Sequence, residues 1–179
     1  MSGTTKIEET LPAPPVLNEA VSEQIRQYNR ATRLAKLSSI VLEKVDFRVL
    51  PAALRADAST LKRELNVETE LLEYASSSGN CIATISWTIV LRHKRKKVAS
   101  CKASYVVFYY GLGGFSEEII QMFIDHVGKT ATYAYFRALY AQLDWSANLG
   151  SPPLPVVSFV MTSGSMQPPA KESAEKRHA

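Results

Sequence analysis

Between residues 44 and 110 apolar side chains recur at every second position in four separate runs, and beyond residue 115 the recurrence changes to every third or fourth. A strand sends alternate side chains to opposite faces, whereas a helix returns to one face every 3.6 residues, so the order is four strands and then helices. Val45, Phe47 and Val49 alternate with Lys44, Asp46 and Arg48, and Leu65, Val67, Thr69 and Leu71 alternate with Glu64, Asn66, Glu68 and Glu70. A third run sets Cys81, Ala83, Ile85, Trp87, Ile89 and Leu91 against Thr84, Ser86 and Thr88, and a fourth covers 98–110. The charged stretch 93–97 between the last two reads as a hairpin tip.

After Gly111, Gly113 and Gly114 the sequence carries helix signals. Ser116 is a good N-cap, Glu117 and Glu118 suit the positive end of the helix dipole, and Ile119, Ile120, Phe123, Ile124 and Val127 form an apolar face that is expected to stop at Gly128. A longer helix follows, with Tyr133, Phe136, Leu139, Tyr140 and Leu143 on one side, ended by Gly150, Pro152 and Pro153. One amphipathic helix is also predicted ahead of the strands, over 18–37, with Val21, Ile25, Tyr28 and Leu34 as its stripe and Asn18 or Ser22 as N-cap. Strands followed by helices imply an antiparallel sheet covered on one face, the α+β class.

The 179 residues give room for one domain, and 46% apolar with 21% charged residues excludes disorder throughout. Residues 1–16, with Pro12, Pro14 and Pro15, and residues 163–179, rich in Ser, Pro, Lys and Glu, read as flexible tails around a domain at 17–162. No run of about 18 apolar residues and no secretory h-region is present, so no membrane span is expected and the cytoplasm is the expected location. A turn at 93–97 sets Cys101 opposite a residue near Thr88, so Cys81 and Cys101 are not expected to bridge.

Catalysis finds little footing. His93 lies in the charged tip, His178 in the tail, and His126 follows Asp125 directly, a spacing that points the two side chains apart on a helix. No CxxC, HxxxH or carboxylate cluster suggests a metal, and the Gly-Leu-Gly-Gly at 111–114 lacks the spacing of a phosphate loop. Neither metal nor cofactor is expected. The formal charge of +4 is concentrated in Arg92, Lys94, Arg95, Lys96 and Lys97 and in the N-terminal helix. That basic hairpin, 92–97, supports a rival reading as a nucleic-acid-binding module, although it lacks aromatic or base-reading neighbours; a solvated turn that blocks edge-to-edge association is the plainer account.

The segment Gly128-Lys129-Thr130-Ala131-Thr132-Tyr133-Ala134-Tyr135-Phe136-Arg137, a long helix, and then Gly150-Ser151-Pro152-Pro153-Leu154-Pro155-Val156-Val157-Ser158-Phe159 resembles the SecB family of protein-export chaperones. The likeness extends over roughly 37–160 and includes the strand containing Cys101 that ends in Gly111-Leu112-Gly113-Gly114-Phe115. The resemblance implies a four-stranded antiparallel sheet followed by two helices, assembled as a homotetramer (a dimer of dimers) that holds unfolded or nascent polypeptides in apolar grooves. The extra N-terminal helix is similar to relatives associated with toxin and antitoxin systems. Where the export chaperones present acids to the SecA motor, the matching positions are Lys44, Arg48 and Lys102; two cationic patches repel, so docking to that motor is not expected and an acidic partner suits the face better.

A holdase needs exposed apolar area. Candidate client-binding residues are Leu50, Ala53 and Leu54 after the first strand, and Tyr140, Leu143 and Trp145 on the last helix. A Tyr and Leu stripe also suits a core, whereas Trp145, between Asp144 and Ser146, is the one best placed for exposure.

Overall fold

The computed structural model describes residues 19–156. The expected tails at 1–16 and 163–179, the Asn18 cap, His178 and the exit segment from Val157 to the expected domain end at 162 lie outside the described residues. Helix α1 (Glu19–Leu34) passes through Ala35 into β1 (Lys36–Val49), followed by β2 (Lys62–Ala75), β3 (Asn80–His93) and β4 (Lys96–Tyr110). Helices α2 (Glu117–Phe123) and α3 (Lys129–Ser146) complete the order. The strands form one antiparallel sheet, β1-β4-β3-β2, with the helices against one face.

The core follows from the alternation. The odd-numbered residues of β3 from Cys81 to Leu91, and of β4 from Cys101 to Tyr109, are buried and meet Ile119, Ile120, Phe123, Ile124 and Phe136 from the helices. Trp87 is the centre of this contact. Its indole stacks on Phe136 at 5.7 Å between centroids, lies 5.0 Å from the Tyr133 ring, and donates Nε1–H to Thr132 Oγ1 at 2.9 Å. At the other end of the sheet the turns meet: Gly79, at φ +71°, approaches Gly113 so closely that a Cβ on it would stand 2.5 Å from the Gly113 nitrogen. Leu112 and Gly114 donate their N–H groups to Gly79 O and Ser76 O there, and the Tyr74 hydroxyl lies 2.6 Å from Leu112 O and 3.0 Å from Phe115 O.

Several expectations are corrected. Helix α1 ends at Leu34 rather than 37, and Ser22 lies inside it, so it is not the cap. Strand β1 begins at Lys36, well before the expected 44, because bulges at Ser38 and Glu43 break the period-2 alternation from which a strand is read. The hairpin turn is shorter than the expected 93–97, with only Lys94 and Arg95 between His93 and Lys96, yet Cys101 still stands opposite Ile89, next to Thr88, and both cysteines are free. The helix does not stop at Gly128. A π-helical segment, Ile124–Gly128, joins α2 to α3, and Gly128 keeps an ordinary helical φ of −61°. Its lack of a side chain serves close approach instead, since a Cβ there would come 3.1 Å from Ile85 Cδ1.

Burial pushes the Cys81 and Cys101 thiols up to about 11, with Asp46 adding to the rise at Cys101. It pushes the Tyr105 and Tyr109 phenols up to about 12, each helped by the neighbouring cysteine. In the unfolded chain these groups ionise near their ordinary values of 9.0 and 10.0, so the folded state holds them neutral where the unfolded state does not. The contribution of these four groups to stability is expected to be level below about pH 9 and to be lost as pH rises toward 11 and 12, measured as the urea midpoint against pH between about 8 and 12. Thr132→Val removes the acceptor of a buried indole N–H and is expected to cost about 1–3 kcal/mol in urea unfolding, with little change in far-UV dichroism.

Candidate functional site

At the C-terminus of α3 the chain turns back through two left-handed residues, Asn148 (φ 51°) and Gly150 (φ 61°), with Leu149 buried between them. Residues 151–156 then run back beside α3 as an extended strap. Pro152, Pro153 and Pro155 have no N–H to give a sheet, so side chains tie the strap down. Asp144 accepts the Ser151 N–H at 3.2 Å and the Ser151 hydroxyl at 2.5 Å, and the Tyr140 hydroxyl is 3.1 Å from the same Ser151 oxygen. Arg63 of β2 donates to Pro152 O at 2.6 Å and Pro153 O at 3.3 Å, and the Tyr133 hydroxyl donates to Pro155 O at 2.7 Å.

Between strap and helix lies a groove of about 520 Å³, lined by Ala134, Arg137, Ala138, Ala141, Trp145, Pro152 and Pro153, with Tyr140 and Asp144 in its floor. The three alanines fall at i, i+4 and i+7, one stripe of α3, and leave a low trough between taller walls. Trp145 forms one wall and is 85% exposed. An indole left this open in a folded chain is uncommon and marks area available for contact.

The candidate client-binding residues separate accordingly. Trp145 and Tyr140 meet in the groove, but Tyr140 is buried and supplies floor rather than wall. Leu143 is half-buried and packs against the core. Ala53 is buried, held in a turn by its N–H to Leu50 O. Leu50 and Leu54 are 49% and 63% exposed on the β1–β2 connection. That connection reaches the strap at Ala58, whose Cβ would lie 3.9 Å from a Cβ on Gly150, so it stands at the same end of the molecule. The alanine stripe and the strap prolines were missed as lining residues; the i, i+4, i+7 spacing of Ala134, Ala138 and Ala141 was the available signal. Arg63 had none, being 89 residues from the carbonyl it holds.

Lys44, Arg48 and Lys102 do share the outward face of the sheet, on neighbouring β1 and β4. They are interleaved with acids: Arg48 pairs with Asp46 at 3.1 Å, and Lys102 with Glu68 at 3.2 Å, all partly exposed. Lys44, Asp46 and Lys102 line a shallow polar hollow of about 260 Å³ with Ser86 and Ser104. At the hairpin tip Lys94 and Arg95 both take positive φ, 46° and 70°, where glycine or asparagine is the ordinary choice. The tip is braced by Arg92 on Glu64 at 2.8 Å and by His93 Nδ1 at 3.0 Å from Thr60 Oγ1. His126 meets the Tyr28 ring edge-on, and Asp125 is engaged by the Thr69 hydroxyl and by Lys129. Among the described residues no group of His, Cys, Asp and Glu could hold a metal ion, and no helix is long and apolar enough to cross a membrane.

No protein-family model matches the chain, and no curated protein matches it in sequence. Solved structures do. The SecB-like chaperone Rv1957 of Mycobacterium tuberculosis, in complex with a ChAD peptide from the HigA1 antitoxin, aligns with a TM-score of 0.63 and 18% identity over 75% of this chain and 99% of that one. A protein of unknown function from Streptococcus agalactiae aligns with a TM-score of 0.39 and 9% identity over 69% of this chain and 97% of that one. The four-stranded antiparallel sheet, the C-terminal helices and the 0.63 alignment together give this chain a SecB-like fold.

Proposed function

We propose that the chain is a non-catalytic holdase of the cytoplasm that binds unfolded or nascent polypeptides by their apolar stretches. The observation that carries this reading is the groove between α3 and the strap on a SecB-like fold, open and walled by Trp145 at 85% exposure. Its alanines and prolines present area without directional groups, which suits clients of many sequences. The M. tuberculosis structure of similar fold contains a peptide from an antitoxin, which supports a polypeptide occupant. Covering a few hundred Å² of apolar surface at roughly 25 cal/mol per Å² yields several kcal/mol, from which ordering the client subtracts about 2–5. One groove alone is therefore a weak site, and repeated grooves on one particle make up the difference through effective concentrations on the order of millimolar.

That need agrees with a homotetramer. Strand β1 is a 14-residue edge, and on its helix-facing side Leu37, Leu42 and Val45 remain exposed, opposite Tyr109, Tyr105 and Ala103. The hydroxyls of Tyr105 and Tyr109 are buried and find no hydrogen-bond partner among the described residues. A long apolar edge of this kind associates unless covered, and a second copy of the chain covers it with the same surface. On the outward face the Arg48–Asp46 and Lys102–Glu68 pairs are exposed and open to exchange, so with Lys44 beside them the three cations remain a candidate contact for an acidic partner rather than a basic motor tail.

Purified protein is expected to suppress aggregation of a refolding substrate at equimolar oligomer, without nucleotide. Trp145→Ala is expected to weaken client binding about tenfold at an unchanged urea midpoint; suppression unaffected by that change removes the groove from the reading. Light scattering is expected to return about four times the 19.8 kDa chain mass, and Leu42→Asp to lower it; a monomer of full holding activity contradicts the assembly.

A further inference from the structure

The groove carries a charge that its apolar lining does not require. Arg137 stands on α3 among the three alanines, half-exposed, in the lining of the cavity. Among the described residues it has no carboxylate partner, and it is the one cation in the lining of the groove. The carboxylate nearest in the lining, Asp144, is 9% exposed and committed to the Ser151 N–H and hydroxyl. A second cation, Arg63, reaches the strap from β2 and stops at backbone carbonyls, so its charge is hydrogen-bonded but not neutralised. Both guanidiniums act on the Tyr133 hydroxyl: burial raises it, and Arg137 and then Arg63 oppose the rise. Positive potential thus converges where the trough meets the strap.

Resting on the holdase reading, we infer that this groove selects client segments in which a bulky apolar residue lies next to a carboxylate. The apolar side chain takes the trough over Ala134, Ala138 and Ala141, against Trp145 and the prolines. The neighbouring Asp or Glu meets Arg137, which offers a planar pair of donors at the lip. A client lysine at that place faces an unpaired cation, and the one acid it could seek is buried and already bonded. Selection comes from repulsion as much as attraction. Acid-flanked apolar stretches are then held in preference to the base-flanked stretches that a negatively charged groove favours.

The test uses the full chain and three fluorescein-labelled nonapeptides with a Gly/Ser host and a central Phe-Leu pair, flanked by Asp, Ser or Lys, followed by anisotropy at low and high salt. Binding is expected in the order Asp, Ser, Lys, with about a fivefold gap between the first and last that narrows in 0.5 M salt. Arg137→Gln is expected to level the three affinities and Arg137→Glu to invert them, while Trp145→Ala weakens all three alike. The conservative Gln variant decides the matter if the Glu variant loses its fold by circular dichroism. Equal affinities for the three peptides, or an order unchanged in both Arg137 variants, overturn the selection and leave the holdase reading standing. Failure of every peptide to bind, with no suppression of aggregation, overturns both.

Discussion

The fold depends on one contact, the Trp87 indole of β3 seated between Phe136 and Tyr133 with its N–H bonded to Thr132. The turns of α3 from Thr132 to Tyr140 are located by it, because Thr132, Tyr133, Phe136 and Tyr140 lie on the buried side of the helix. Once that side is fixed, the opposite stripe of Ala134, Ala138 and Ala141 must face outward, and Trp145 with it. The groove is therefore a by-product of how α3 is pinned to the sheet. Thr132 also accepts its indole proton while its own hydroxyl returns to Gly128 O at 2.9 Å, which satisfies both groups in a place closed to water.

Glycine and proline do unequal work around this contact. Gly128 lets the helix lie against Ile85 without a left-handed turn, so α2, the π-helical segment and α3 run on as one helical body. The strap prolines do the opposite, denying the exit segment a place in the sheet and leaving its carbonyls to Arg63 and Tyr133. An extended wall that cannot add to the sheet edge stays available as a groove wall. A strand added at that edge would otherwise compete with the chain's own exit for pairing.

Charge is distributed by the same logic. On the outward face cations and acids alternate across strands and largely cancel in pairs that are exposed and individually weak. In the groove the acid is turned inward and bonded, and the cations are left on the surface side. Net charge alone did not reveal this, since the +4 of the chain sits mostly in the braced hairpin tip and in α1. The two positive-φ cations of the tip follow a β3 end that is held from the β2 side, by Arg92 with Glu64 and by His93 with Thr60.

Much of the architecture was legible in the sequence because strand and helix periods are local. The alternation in β2, β3 and β4, the Ser116 cap on Ile119 N–H, and the buried stripe of α3 all follow from neighbours within a few residues. Strand β1 was legible only where its pleat was regular; the bulges at Ser38 and Glu43 hid its first half. In the site, Trp145 could be picked from its polar neighbours, but Tyr140 and Ala53, equally apolar, turned out to be buried. The sequence by itself determined which residues could face together, through periods of two and 3.6. Only the tertiary structure decided which of those faces stayed open and which distant side chains closed them, as Arg63 does for the strap. The reason is physical: exposure is a property of what packs against a face, and that partner is brought from tens of residues away by the whole sheet.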